Sequence, residues 1–336
     1  RGVVVWQLAQ ILSGMEGDVN FGAAAAAWNN QVAASFQAWS AGPGSAFAMT
    51  GTANETLNGT GGNDSFSGSS GTYQGGDSVY GGAGVDTLLL SLIGGTYNNV
   101  TLNSVETVDV DADGDVTIGA SKWNSGTNTV KATNKSVGTL TFHDLQEVSP
   151  GLKFELSDVA ADVVLNFDQQ AAAGDSTVEV TVSEVTGRLD IVGENGEAIE
   201  TTVLNVADVK GAASTLKDLT GTGSKTVQIK GGLAGQAFTI TDALDASLTT
   251  VDASTFVGNL VLSVAANGAD KALALTGGSG DDKINAGLNG LALSAFSLAG
   301  RGVPRFQTAA HELRTYVESG LLTNGQPVKT RMGERA

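Results

Sequence analysis

Glycine-rich nonads with one fixed acid constrain this chain more than any other feature. The stretch GGAGVDTLL, residues 81–89, fits the nonapeptide pattern G-G-x-G-x-D-x-U-x in full, with U an apolar residue. Nine residues earlier, TYQGGDSVY (72–80) keeps Gly75, Asp77 and Val79 in phase. Four inserted residues, GSSG (68–71), precede it. Before them, GTGGNDSFS (59–67) supplies Gly59, Gly62, Asp64 and Phe66 in the same positions. A degenerate copy, TGTANETLN (50–58), carries Glu55 and Leu57. Far downstream, GGSGDDKIN (277–285) fits again and places Asp282 at the acid position. Glycine reaches left-handed backbone conformations and leaves carbonyls uncovered, so such turns wrap their own oxygens around something small. The acid makes that something a cation.

On these residues the chain resembles the RTX family of calcium-binding β-roll proteins. The resemblance implies six-residue turns alternating with three-residue strands, two nonads per coil, so that acids two repeats apart stack along one edge. It further implies a calcium ion between stacked turns. One turn would supply the carbonyls of its first and third residues with its acid, and the other its second and fourth carbonyls with its acid. Carried onto this sequence, one site comprises Gly59, Gly61 and Asp64 with Gly82, Gly84 and Asp86. A second comprises Thr50, Thr52 and Glu55 with Tyr73, Gly75 and Asp77. Each set presents six hard oxygen donors, within the roughly six to eight that Ca²⁺ takes. Asp282 is a third candidate ligand, with no continuing repeat after Asn285 to stack on it.

Residues 96–276 read as many short strands without the full motif, as in LTFHDL, STVEVTVSEVTGRLDIVG and KTVQIKG. Rungs of a β-solenoid and a β-sandwich are both open on strand spacing alone. The solenoid is favoured because the alternation runs directly into the 277–285 repeat. The expected fold is therefore mainly β, a parallel β-roll or β-solenoid, with a short N-terminal α-helical segment over residues 1–45. There the alanine-rich FGAAAAAWNNQVAASFQAW spaces Trp28, Val32, Phe36 and Trp39 at intervals of three or four. The domain reading is 1–45 helical, 50–95 repeat-bearing, 96–285 solenoid-like, and 286–336 a basic tail, helical over 306–320.

Charge narrows the partners. The formal net charge is -17, and residues 1–299 hold 12 of the 18 basic residues and 32 of the 35 acidic ones. Such a chain repels phosphate backbones and anionic lipid and attracts divalent cations, so no nucleic-acid partner is expected. It has no cysteine, which removes disulfides and thiolate metal sites. No segment reaches the ~20 apolar residues of a membrane span. The chain starts at Arg1 and shows no signal-peptide pattern, so it reads as a piece of a longer protein or a processed one.

Catalytic constellations are missing from the sequence, and no enzymatic activity is expected. His143 and His311 are far apart, and HELRT (311–315) lacks the second histidine of a zinc H-E-x-x-H site. No G-x-S-x-G elbow or phosphate-binding loop occurs. DVDADGDVTIGA (109–120) copies the first half of an EF-hand loop with Asp109, Asp111, Asp113 and Gly114, but Ala120 stands where a bidentate Glu belongs. It reads instead as a strand with acids facing solvent, followed by an Asp-Gly turn.

The acid-rich, cysteine-free Thr/Val/Ala/Gly strands also resemble bacterial surface-layer (S-layer) and related RTX surface proteins. That resemblance implies an extracellular, calcium-dependent structural protein of the bacterial cell surface. It would self-associate into a lattice or pack with other surface components, after export by a type I secretion apparatus. The basic last 50 residues depart from the acidic, apolar tail such export implies. The alternatives are the noncatalytic calcium-binding region of a secreted RTX adhesin or enzyme, and a calcium-free solenoid spacer.

Overall fold

A computed structural model describes residues 44–124, 126–134, 138–221, 223–267, 273–288 and 293–297. The expected N-terminal helix and the helical part of the basic tail lie outside these residues. The described chain is mainly β, and its strands pair in parallel within each unit. It divides into two compact units between Lys131 and Ala132.

Among the described residues of the first unit, seven strands up to Gly119 alternate between two ladders. These are β1 (Ala46–Ala48), β2 (Thr56–Asn58), β3 (Ser65–Ser69), β4 (Ser78–Tyr80), β5 (Thr87–Tyr97), β6 (Thr101–Asn103) and β7 (Thr107–Gly119). One ladder runs β1, β3, β5, β7 and the other β2, β4, β6. Ser65 pairs with Thr87 and Thr56 with Ser78, so these coils take 22 residues, two nonads plus the four of GSSG. The insertion is absorbed in a closed turn: the Thr72 and Tyr73 amides both donate to the Ser69 carbonyl, and Tyr73 turns inward. Stacking is preserved.

Burial follows the period of two along each strand. In β5 the pattern puts Leu88, Leu90 and Leu92 inside and Leu89 and Ile93 outside. Parallel sheets between helix layers read as unbroken apolar runs, because both faces are covered. Here one face lines the coil and the other meets solvent, which is the solenoid arrangement. Phe66, Leu88 and Val108 share a register position on successive rungs and are fully buried. Phe47 extends the stack, its ring 5.1 Å from that of Phe66 and nearly parallel.

Among its described residues the second unit repeats this logic in three parallel ladders, with coils of 20 to 30 residues. Phe142, Phe154 and Phe167 fill one stretch of its interior at ring separations near 6 Å. Parallel registers exclude the β-sandwich, whose sheets are antiparallel. The EF-hand-like stretch lies within β7. Its acids alternate with buried Val108, Val110 and Ala112. The expected Asp-Gly turn is instead a kink inside a continuous strand, with Gly114 at φ +77° beside a register shift opposite Ile93–Gly95.

Candidate cation site

Stacked turns bring the repeat acids together along one edge. Ser45, Asp64, Asp86 and Glu106 each immediately precede a paired residue of β1, β3, β5 and β7, so they occupy one register position on four rungs. Each carboxylate accepts the amide hydrogen of the residue one rung earlier. Asp64 Oδ1 accepts from Ser45 at 2.6 Å, Asp86 Oδ1 from Asp64 at 2.7 Å, and Glu106 Oε2 from Asp86 at 2.6 Å. The acids are thus built into the backbone ladder.

Glycine explains how the turns approach so closely. Gly82 and Gly84 sit at φ +102° and +128°, and a Cβ on them would stand 2.2 Å from the Thr60 carbonyl oxygen and 2.4 Å from that of Gly62. From the other side, the Gly81 carbonyl oxygen lies 2.0 Å from where a Gly59 Cβ would be. The oxygens crowding the space between the turns are therefore those of Thr60, Gly62 and Gly81. The sequence reading assigned first and third positions (Gly59, Gly61) to the earlier turn and second and fourth (Gly82, Gly84) to the later. The carbonyls that the nested glycines approach are those of the second and fourth residues of the earlier turn and the first of the later.

The two aspartates differ in how their charge is met. Asp64 is buried, which opposes ionisation, but the Ser45 and Thr60 amides and the Thr60 hydroxyl outweigh this and hold its carboxyl below the usual range. Asp86 is fully buried and its Oδ2 has no hydrogen-bond partner. Burial pushes Asp86 up; the Asp64 amide opposes this, and the charges of Glu106 and Asp64 add to the rise. A buried carboxylate oxygen without a donor, beside two more acids, is costly unless a cation or a proton meets it. Asp86 and the surrounding carbonyls therefore fit a hard divalent ion.

The other predicted positions are arranged differently. Asp77 is buried, accepting from the Glu55 amide through Oδ1 and the Gln74 amide through Oδ2, both at 2.9 Å. Glu55 accepts from the Thr50 amide and hydroxyl. Gly75 lies close to the Asn98 carbonyl, 3.0 Å from a built Cβ. Both acids at this edge are met by protein donors. Gly61 faces open space.

Asp282 sits on the same scaffold with no acid at the position matching Asp64, and Asp270, the other acid expected to serve it, lies outside the described residues. Gly278 and Gly280 press on the Phe256 and Gly258 carbonyls as Gly82 and Gly84 press on those of Thr60 and Gly62. Asn259 accepts the Asp281 amide as Asn63 accepts that of Val85. At the position of Asp64, however, stands Leu260, whose amide donates to Asp282 Oδ1, while Gly278 donates to Oδ2. Burial raises the Asp282 pKa, the two amides oppose it, and Asp281 adds to the rise. Both Asp282 oxygens are thus met by backbone amides, as both Asp64 oxygens are.

Motif-free coils use acids the same way, which sequence reading missed. Glu200 accepts the amide and hydroxyl of Ser176, and Asp208 accepts amides of Glu184 and Ser214. Among the described residues no three His, Cys, Asp or Glu side chains converge as around a metal held by side chains alone. Any ion here needs backbone carbonyls. Compared with models of protein families, with curated proteins and with solved structures, the chain matches none.

Proposed function

We propose that this chain is an extracellular calcium-binding structural protein of bacterial surface-layer type, whose repeat-bearing coils take Ca²⁺ between stacked turns. The observation that carries the reading is the unpartnered, fully buried Oδ2 of Asp86, one rung from Asp64, in a turn lined by carbonyls. Asp64 and Asp86, with the carbonyls of Thr60, Gly62 and Gly81, would hold the ion. Calcium would supply positive charge where two acids and several carbonyl dipoles face one another, and its flexible coordination of oxygen suits a set of this kind.

The chain's own residues set the rest. Gly82 and Gly84 let the turns close, the Ser45 and Thr60 donors keep Asp64 ionised, and β3 and β5 hold both acids in register. No helix among the described residues is long and apolar enough to cross a membrane. Calorimetric calcium titration of the wild type against Asp64→Ala tests the reading. The variant is expected to bind fewer ions, and unchanged stoichiometry would show that the paired acids do not share one.

A further inference from the structure

We propose that Asn195, in the second unit, is a site of spontaneous modification, losing its side-chain amide to the Gly196 nitrogen and becoming aspartate or isoaspartate, while the coil holds the same dipeptide at Asn58–Gly59 intact. The inference does not depend on the calcium reading. In the reaction the Gly196 nitrogen gives up its proton and bonds to Asn195 Cγ. The Cγ–Nδ2 bond breaks, and Nδ2 leaves as ammonia with that proton. Water then opens the succinimide ring at Cγ to give aspartate, or at the main-chain carbonyl to give isoaspartate. No oxidant or enzyme is required.

Local structure separates the two sites. The turn Glu194–Glu197 follows the strand Arg188–Gly193 and is closed within itself, the Glu197 amide donating to the Glu194 carbonyl at 3.1 Å. Asn195 stands at φ 54°, ψ 23° and Gly196 at φ +85°, the left-handed pair of a type I′ turn that Asn-Gly favours. Both residues are exposed, and the space where a Gly196 Cβ would sit is open. Lacking that Cβ, glycine leaves its nitrogen unhindered and lets the backbone reach the conformations that bring it onto Cγ. The other Asn-Gly pair among the described residues has none of this freedom. Asn58 pairs with Tyr80 in the ladder, and the Gly59 amide donates to the Tyr80 carbonyl at 2.7 Å. A Cβ on Gly59 would stand 2.0 Å from the Gly81 carbonyl oxygen. Ring closure at Asn58 requires that the rung open first.

The product alters a corner that the amide now holds. Asn195 Nδ2 donates to Gln169 Oε1 at 3.2 Å, which ties the turn to the short helix Gln169–Ala172. Asp168 caps that helix by accepting the Gln170 amide at 2.8 Å. The helix packs on the end of the strand, where a Cβ on Gly193 would stand 2.7 Å from Ala172 Cβ. Conversion removes the donor to Gln169 and adds a carboxylate beside Glu194. The Glu194 carboxyl is already held above its usual range by its hydrogen bond to Asp144, by burial and by the charges of Asp144 and Asp168. His143, 2.9 Å from Asp144, opposes that rise. A further negative charge is repelled by these acids, so the converted turn separates from the helix.

Peptide mapping by mass spectrometry of the full chain, held at mildly alkaline pH in millimolar calcium and sampled over weeks, reads the conversion at both sites. Asn195 is expected to convert about tenfold faster than Asn58, the factor imposed by breaking one ordinary hydrogen bond to free the Gly59 amide. In denaturant the two should convert at similar rates. Asn195→Gln, which keeps an amide but must close a larger ring, should stay unconverted. Equal conversion of Asn195 and Asn58 in the folded chain overturns the site. So does an Asn195 that stays intact in the folded chain over a period in which the unfolded chain converts. The consequence has its own readout, since Asn195→Asp should raise hydrogen exchange over residues 168–173. Unchanged exchange there would overturn the loosening of the helix.

Discussion

Asp64 and Asp86 are the same residue type at the same register position, yet metal-free protein should respond oppositely when each is changed. Asp64→Ala strands the amides of Ser45 and Thr60, and an unmet buried donor costs about 1–3 kcal/mol. Asp86→Asn removes a charge that burial and two neighbouring acids disfavour. Its amide oxygen can still accept from Asp64, and its NH₂ can donate to the Ser104 carbonyl. Denaturant unfolding in a chelator should therefore show the first variant weakened and the second as stable as the wild type or more so. The pH dependence follows from the same asymmetry. Asp86 has a folded pKa above its unfolded one, so its contribution is present at acid pH and lost as pH rises through the folded value. Asp64 has a lowered pKa, and its contribution is lost as pH falls through that value. Calcium affinity should fall on acidification, as protons compete for Asp86. Titrations at several pH values check this, and affinity that rises on acidification would contradict it.

At the scale of the element, the nested turn is a unit that occurs twice with different acids. Gly82→Ala places a side chain in left-handed backbone, a cost of about 1–2 kcal/mol, and drives a Cβ to 2.2 Å from the Thr60 carbonyl. Gly61→Ala meets nothing within 4 Å. Thermal melts should separate the two clearly. Leu260→Asp would give Asp282 the partner that Asp86 has in Asp64. The change should weaken the metal-free coil by burying a second acid and create calcium-dependent stabilisation there. A melt of this variant that is indifferent to calcium would show that two carboxylates and nested glycines do not suffice. Much of this element was legible in the sequence. The nonad phase pairs Asp64 with Asp86; that the coil takes in GSSG without losing this pairing is seen only in the structure. The phase could not say which carbonyls turn into the gap, because every residue of a turn has one and only φ and ψ aim it. Leu260 escaped notice because TFVGNL carries only the Gly and Asn of the motif. Glu106 escaped because no glycine marks its turn.

For the molecule as a whole, the two kinds of coil divide the labour. In the second unit, acids such as Glu200 and Asp208 are met by amides and hydroxyls, so those coils hold together on protein donors and a stacked apolar interior. In the first unit, Asp86 leaves charge unmet. Parallel pairing and alternation made the solenoid readable from sequence once the repeat gave its period. A solenoid is stabilised by contacts between successive rungs, so a local ion acts mainly on adjacent coils. A ligand that binds only the folded form adds ~2.7 kcal/mol at a hundredfold excess over its Kd. Extracellular calcium modules commonly bind with Kd of ~10⁻⁴ to 10⁻³ M, so such sites stay empty at cytosolic calcium and fill outside the cell. Hydrogen exchange followed by mass spectrometry, with and without millimolar calcium, tests this most directly. The account predicts added protection over residues 59–107 and little change over 139–260. Equal protection of residues 59–107 in both conditions would contradict it.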